Sequence, residues 1–185
     1  MKSYVLVIIL CLFTSLGIKA QNEDYKEPVL PIDSSTKMIT YTKVISVNAT
    51  KDSLYNKVKK WFFSYYKNPT GVIRQDDATN GQIVGKHQIK VLNPPDKKGI
   101  QTMRGIVQYT ITTQFKDNKV RIILNEINLK QTSYTPIEKW LDKTAPEFSS
   151  KNYYYLDQID KEMKKTINHF ENFVTKPQSS NKNEW

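Results

Sequence analysis

Between residues 38 and 175 the hydrophobic positions switch between a period of two and a period near 3.6. Ile39, Tyr41, Ile45 and Val47 fall on one side of an alternating run, with Lys43 the exception, which predicts a strand over 38–47. The period then changes. Leu54, Val58, Trp61, Phe62 and Tyr65 share one helical face over 52–66, and Lys57, Lys59 and Lys60 take the remaining, solvent-facing positions. Thr50 or Asp52 can cap the first turn by accepting a backbone N–H, and Asn68-Pro69 with Gly71 ends the helix.

Four more strands follow. Residues 72–75 and 82–92 flank Asn80-Gly81, whose positive φ values would make a tight hairpin. On the second of these strands Ile83, Gly85, His87, Ile89 and Val91 share a face. Residues 93–104 hold Pro94, Pro95 and Gly99 and read as a loop. Residues 105–115 and 119–129 alternate around the turn Lys116-Asp117-Asn118. After an irregular stretch with a helical turn at 136–141, Leu156, Ile159, Met163, Ile167, Phe170 and Val174 step by three or four along a long helix over 151–174. The order strand, helix, four strands, helix predicts an α+β domain in which one-faced helices cover a half-buried antiparallel sheet of about five strands.

The ends differ from this middle. Lys2 precedes the uncharged run Val5 to Phe13, and Thr14, Ser15 and Gly17 lead to Ala20. This is the layout of a secretory signal cleaved between Ala20 and Gln21. The run is shorter than the roughly 20 apolar residues that a spanning helix needs. Cys11 lies deep inside it, away from a lipidation position, so the mature chain would carry no cysteine and no disulfide. The expected organisation is a signal peptide over 1–20, an extended leader over 21–37, a single α+β domain over 38–175 and a disordered tail over 176–185. Removing 20 residues from 185 leaves a chain long enough to bury about 70% of its unfolded surface. The protein is expected to be periplasmic or secreted and not an integral membrane protein.

Charge changes this picture little. The formal net charge is +10, but the lysines are spread along the chain and interleaved with core positions. Dispersed cations of this kind give salt-sensitive, non-specific attraction to polyanions, and no specific nucleic-acid partner is expected.

Candidate chemistry is sparse. His87 alternates with Ile83, Ile89 and Val91, which suits a core histidine bonded to a backbone group. His169 lies near the end of the last helix, where positive charge is favoured. Two histidines far apart, without cysteine, do not make a zinc set. Asp76 and Asp77 suit a turn and lack the carboxylate spacing of a calcium loop. No Gly-x-Ser-x-Gly elbow or phosphate loop occurs among the six glycines, and nothing singles out a carboxylate pair such as Glu126 and Glu147. No catalytic, cofactor-binding or metal-binding residue is therefore assigned, and the chain is not expected to be an enzyme. Tyr153-Tyr154-Tyr155, with Trp140 and Tyr134, could anchor a partner or simply pack the start of the last helix onto the sheet.

One ordered set of residues resembles a known family. Leu30-Pro31-Ile32-Asp33, Ile39-Thr40-Tyr41, Leu54-Tyr55, Trp61, Asp77 and Gly81-Gln82-Ile83-Val84-Gly85, with Thr135-Pro136-Ile137-Glu138-Lys139-Trp140 beyond, are similar to an exported domain of unknown function with a TBP-like fold, found mostly in Bacteroidota-type bacteria. The resemblance implies a curved antiparallel sheet with helices against it, and it implies no activity, because fold does not convey function. The expected role is an exported binding or accessory module of the cell envelope, with an envelope protein or an apolar small molecule as partner. The alternative is a carrier that holds an apolar ligand between the sheet and the C-terminal helix.

If the N-terminal reading is correct, the intact mass of the exported protein begins at Gln21. A mature chain still carrying Val5 to Phe13 would contradict it.

Overall fold

The computed structural model describes residues 25–177. The cleavage position Ala20–Gln21 and the tail from 178 onward lie outside the described residues.

The elements run β1 (Tyr41–Ser46), α1 (Lys51–Tyr65), a one-turn helix α2 (Pro69–Val72), β2 (Ile73–Asp77), β3 (Gln82–Leu92), β4 (Met103–Lys116), β5 (Lys119–Lys130), β6 (Tyr134–Pro136), a 3₁₀ turn (Ile137–Leu141) and α3 (Lys151–Thr175). The strands form one antiparallel sheet in the order β1-β5-β4-β3-β2, with β6 also paired to β5. The α+β reading and the curved antiparallel sheet with a helix after its first strand and a long C-terminal helix are those of the sequence.

Local chemistry explains the boundaries. The Thr50 hydroxyl accepts from the Ser53 N–H and caps α1. Of Asn80 and Gly81 only the glycine has positive φ, at 67°, and the hairpin between β2 and β3 closes through the four residues 78–81. The Asp77 carboxylate accepts from the Asn80 N–H and side-chain amide there. The turn between β4 and β5 places Asn118 at φ 63°. Two short elements, α2 and β6, have no hydrophobic period of their own and were not expected.

Both long helices lie on the same face of the sheet. That face presents Ile83, Val107, Tyr109, Ile111, Ile122 and Leu124, all at most 1% exposed. α1 buries Leu54, Val58, Trp61 and Phe62 against it, and α3 buries Leu156, Ile159, Met163, Phe170 and Val174. Gly85 lets α1 approach closely, since a Cβ there would sit 3.0 Å from the Phe62 ring and 3.2 Å from the Val72 side chain. The opposite face carries polar cross-strand pairs, including Gln88–Gln108, Gln82–Gln114 and Arg121–Gln114.

Trp61 joins the two helices. Its ring meets Phe62 and Phe170 edge-on at 5.0 and 4.9 Å and stacks on Tyr65 at 5.2 Å. Its indole N–H donates to His169 Nδ1 at 3.0 Å. His169 is thus a hydrogen-bond acceptor for the core. Lys57, expected on the solvent face, is buried instead, and its ammonium donates to the Lys176 carbonyl just beyond α3. Asp160 is buried and answered by the Tyr41 hydroxyl at 2.9 Å and Lys164 at 2.7 Å.

Part of the segment read as a leader is tied to the domain. Ile32 bridges Ile39, Thr40 donates to the Pro31 carbonyl, and the Tyr25 ring lies 5.1 Å from that of Tyr154. No helix among the described residues is long and apolar enough to cross a membrane.

Trp61→Ala should cost about 3–5 kcal/mol, through lost contacts and a residual cavity. Lys60→Ala, on the exposed side of α1, should barely move the denaturant midpoint. Equal small losses would mean that α1 does not pack as described.

Candidate functional site

β3 is longer than the strand beside it. β2 pairs with β3 only across Gln82–Gly85, because the preceding residues are held in α2. Pro69 starts that turn with its fixed φ, and the Asn68 side chain accepts from the Gly71 N–H at 3.1 Å. From Lys86 to Val91, β3 pairs with β4 on one side and with no strand among the described residues on the other.

The far end of this free edge is closed by a side chain. Gln158 of α3 accepts from the Leu92 N–H at 3.1 Å and donates to the Leu92 carbonyl at 2.9 Å, as a neighbouring strand would. Backbone groups alternate sides along a strand. With Leu92 turned toward Gln158, the N–H and C=O groups of Lys86, Gln88 and Lys90 turn the same way, away from β4.

A groove runs between this edge, α3 and the α2–β2 corner. At the β2 end it is a cleft of about 610 Å³ that includes Tyr66, Arg74, His87, Tyr109, Glu162 and Lys165 in its walls. Along Ile89, Lys90 and Val91 it continues as a cleft of about 440 Å³ against Gln158 and Lys161. Glu162 and Lys165 line both parts, so the two adjoin.

The floor is aromatic. The His87 ring lies 4.6 Å from Tyr66 and 5.9 Å, edge-on, from Tyr109. His87 is half-buried on the helix-covered face of β3, and its partners are rings rather than the expected backbone group. Burial pushes the His87 imidazole below its ordinary value of 6.5, opposed by the nearby Glu162 carboxylate. Burial pushes the Tyr109 hydroxyl up to about 12 and the Tyr66 hydroxyl higher still. The Tyr66 hydroxyl is buried facing Tyr109 and makes no well-formed hydrogen bond. The floor is therefore uncharged at neutral pH and suited to ring stacking and neutral hydrogen bonding.

The rim is basic. Lys165 pairs with Glu162 at 3.2 Å, Lys161 with Asp157 at 2.6 Å and Lys86 with Glu126 at 3.7 Å. Arg74 and Lys90 form no ion pair among the described residues.

The other candidates read from the sequence lie elsewhere. Asp76 bonds the Tyr55 hydroxyl and Lys59, and Asp77 closes its own loop. Glu126 sits at a bulge in β5 with φ 49° and accepts from Thr110, whereas Glu147 is exposed beyond the 3₁₀ turn. Tyr153, Tyr155 and Trp140 are buried; Tyr155 packs on Trp140 and Tyr153 on Phe148. Tyr134 alone of that group is largely exposed. Tyr66, Arg74, Tyr109 and Gln158 were not singled out. Tyr109 showed only a strand period, and a lone glutamine on a helix carries no signal at all.

The depressed His87 pKa has a thermodynamic consequence. The unfolded chain takes up the proton more readily than the folded one, so this contribution to stability is full above pH 6.5 and is lost as pH falls through 6.5 toward the folded value. The denaturant midpoint should drop between pH 7 and pH 5, and less so in His87→Phe. The same drop in both proteins would show that His87 is not held neutral.

No curated protein matches the chain. Two solved structures have similar folds. A DUF4468 family protein from Bacteroides ovatus aligns with a TM-score of 0.57 at 16% identity, covering 79% of this chain and 94% of that one. A TBP-like protein from Parabacteroides distasonis aligns with a TM-score of 0.56 at 13% identity, covering 76% and 97%. Identities this low speak to the fold alone. The family model "Domain of unknown function (DUF4468) with TBP-like fold" matches residues 41–130, the stretch from the first residue of β1 to the last of β5. Over that stretch, which includes the free edge of β3, the chain matches the DUF4468 family.

Proposed function

We propose that this protein is an exported, non-catalytic binding or accessory module of the cell envelope, and that it engages its partner through the groove beside β3. The observation that carries the reading is the groove itself. An uncharged aromatic floor lies under a rim where Arg74 and Lys90 form no ion pair among the described residues, beside backbone groups left unpaired by the sheet. The export part of the reading rests on the N-terminal sequence, with cleavage between Ala20 and Gln21. The groove's tyrosines are driven away from ionisation and its histidine away from protonation, which suits stacking and neutral hydrogen bonding with a partner.

The carrier alternative needs room between the sheet and the C-terminal helix. That space is occupied by side chains: Leu156, Met163 and Phe170 of α3 are 0% exposed, as are Ile111, Ile122 and Leu124 of the sheet. An apolar cargo of ordinary size needs a cavity of about 300 Å³ or more.

The test uses the mature chain as immobilised bait for detergent-solubilised envelope. Lys86→Glu/Lys165→Glu, which reverses charge at the groove, should lose the species that the unaltered chain retains. Lys97→Glu/Lys98→Glu, in the exposed loop between β3 and β4, should keep them. Retention that ignores the groove would refute the reading, and a retained species that emerges chemically altered would make the protein an enzyme.

A further inference from the structure

We propose that the groove receives an extended peptide with alternating acidic and apolar side chains, which adds to the free edge of β3 as a further strand. This rests on the groove being the binding surface and names the class of its occupant.

Three observations converge on it. First, β3 continues for seven residues past its last pairing with β2, so the Lys86 carbonyl and the backbone donors and acceptors of Gln88 and Lys90 face the groove without a strand partner among the described residues. An exposed edge of this kind is a ready template for main-chain pairing. Second, the molecule already pairs with this edge once. The Gln158 carboxamide bonds both the N–H and the C=O of Leu92 at 3.1 and 2.9 Å, reproducing strand pairing one position beyond the open stretch. It also ends the edge, so an added strand would pair from Lys86 to Lys90 and no further.

Third, the charges select the occupant. Side chains of a paired residue stand on the same side of the sheet as those directly opposite. Acidic residues opposite Lys86 and Lys90 would meet those two ammonium groups, with Arg74 near one end. The intervening side chains would turn toward His87, Ile89 and α3, where apolar groups suit the aromatic floor. A second copy of this chain is the natural rival, because free edges often pair with themselves. Antiparallel self-pairing centred on Gln88 would set Lys86 opposite the other copy's Lys90 and Lys90 opposite its Lys86. Like charges placed directly opposite are destabilising, so the edge disfavours its own copy and favours an acidic strand.

The probe is a capped peptide of four Glu-Val repeats, titrated into the mature protein at low salt and followed by amide hydrogen exchange. Binding should slow exchange at Gln88 and Lys90. N-methylation of the peptide at its glutamates keeps every charge but removes the donors that face β3, and it should weaken binding at least about tenfold. On the protein side, Gln88→Pro removes one edge donor that β4 does not use, a position where an edge strand tolerates proline. It should weaken binding similarly while a Lys-Val peptide of equal length stays unbound to either protein. Undiminished binding of the N-methylated peptide would reduce the interaction to charge and overturn the proposal. So would concentration-dependent protection of the same amides in the protein alone, which would make a second copy the occupant. Failure of the Glu-Val peptide to bind would also overturn it, yet leave the groove reading to stand or fall by the charge-reversal test.

Discussion

Two helices must share one face of a single sheet, and the residue that makes this possible is Trp61. It sits where α1 and α3 meet, with rings of Phe62, Tyr65 and Phe170 around it. Its polar N–H would be costly to bury unpaired, and His169 accepts it. The separation of the helices follows from this junction. Once they are spaced by it, α3 crosses toward β3 with Gln158 at the strand edge, and α1 delivers Tyr66 and the α2 turn beside His87. The groove is the gap that remains between these two outcomes.

The hydrophobic periods made most of the architecture legible. The stripe from Leu54 to Tyr65 and the steps from Leu156 to Val174 located both helices within a residue or so, and alternation located β3 to β5 nearly as well. What period could not supply was relation. The sequence of Lys57 looks like that of Lys60, and only tertiary packing, which brings the end of α3 over it, makes one buried and the other exposed. The tyrosine run at 153–155 suited either a partner anchor or packing onto the sheet, and the chain spends two of its three rings on the core.

The groove was less legible for a physical reason. It depends on a missing partner rather than on a present motif. His87 was visible as an inward strand residue, but nothing near it announced that β2 would stop at Gly85. That limit comes from Pro69 and Asn68, which spend four residues on a helical turn before the strand begins. Gln158 lies 66 positions from Leu92, so its role as a surrogate strand is invisible to any local pattern.

The pairing of β1 with β5 also bears on when this protein can become itself. Strands β2 to β5 follow one another in sequence and each pairs with the next, so they can zip up in succession. Tyr41 instead pairs with Leu124, across the whole intervening domain. Such non-local contacts repay their loop-closure entropy only at the end, which slows folding. Synthesis reaches β1 early but cannot place it until β5 has emerged. Its first strand therefore has nothing to fold against while the rest of the chain is still being made.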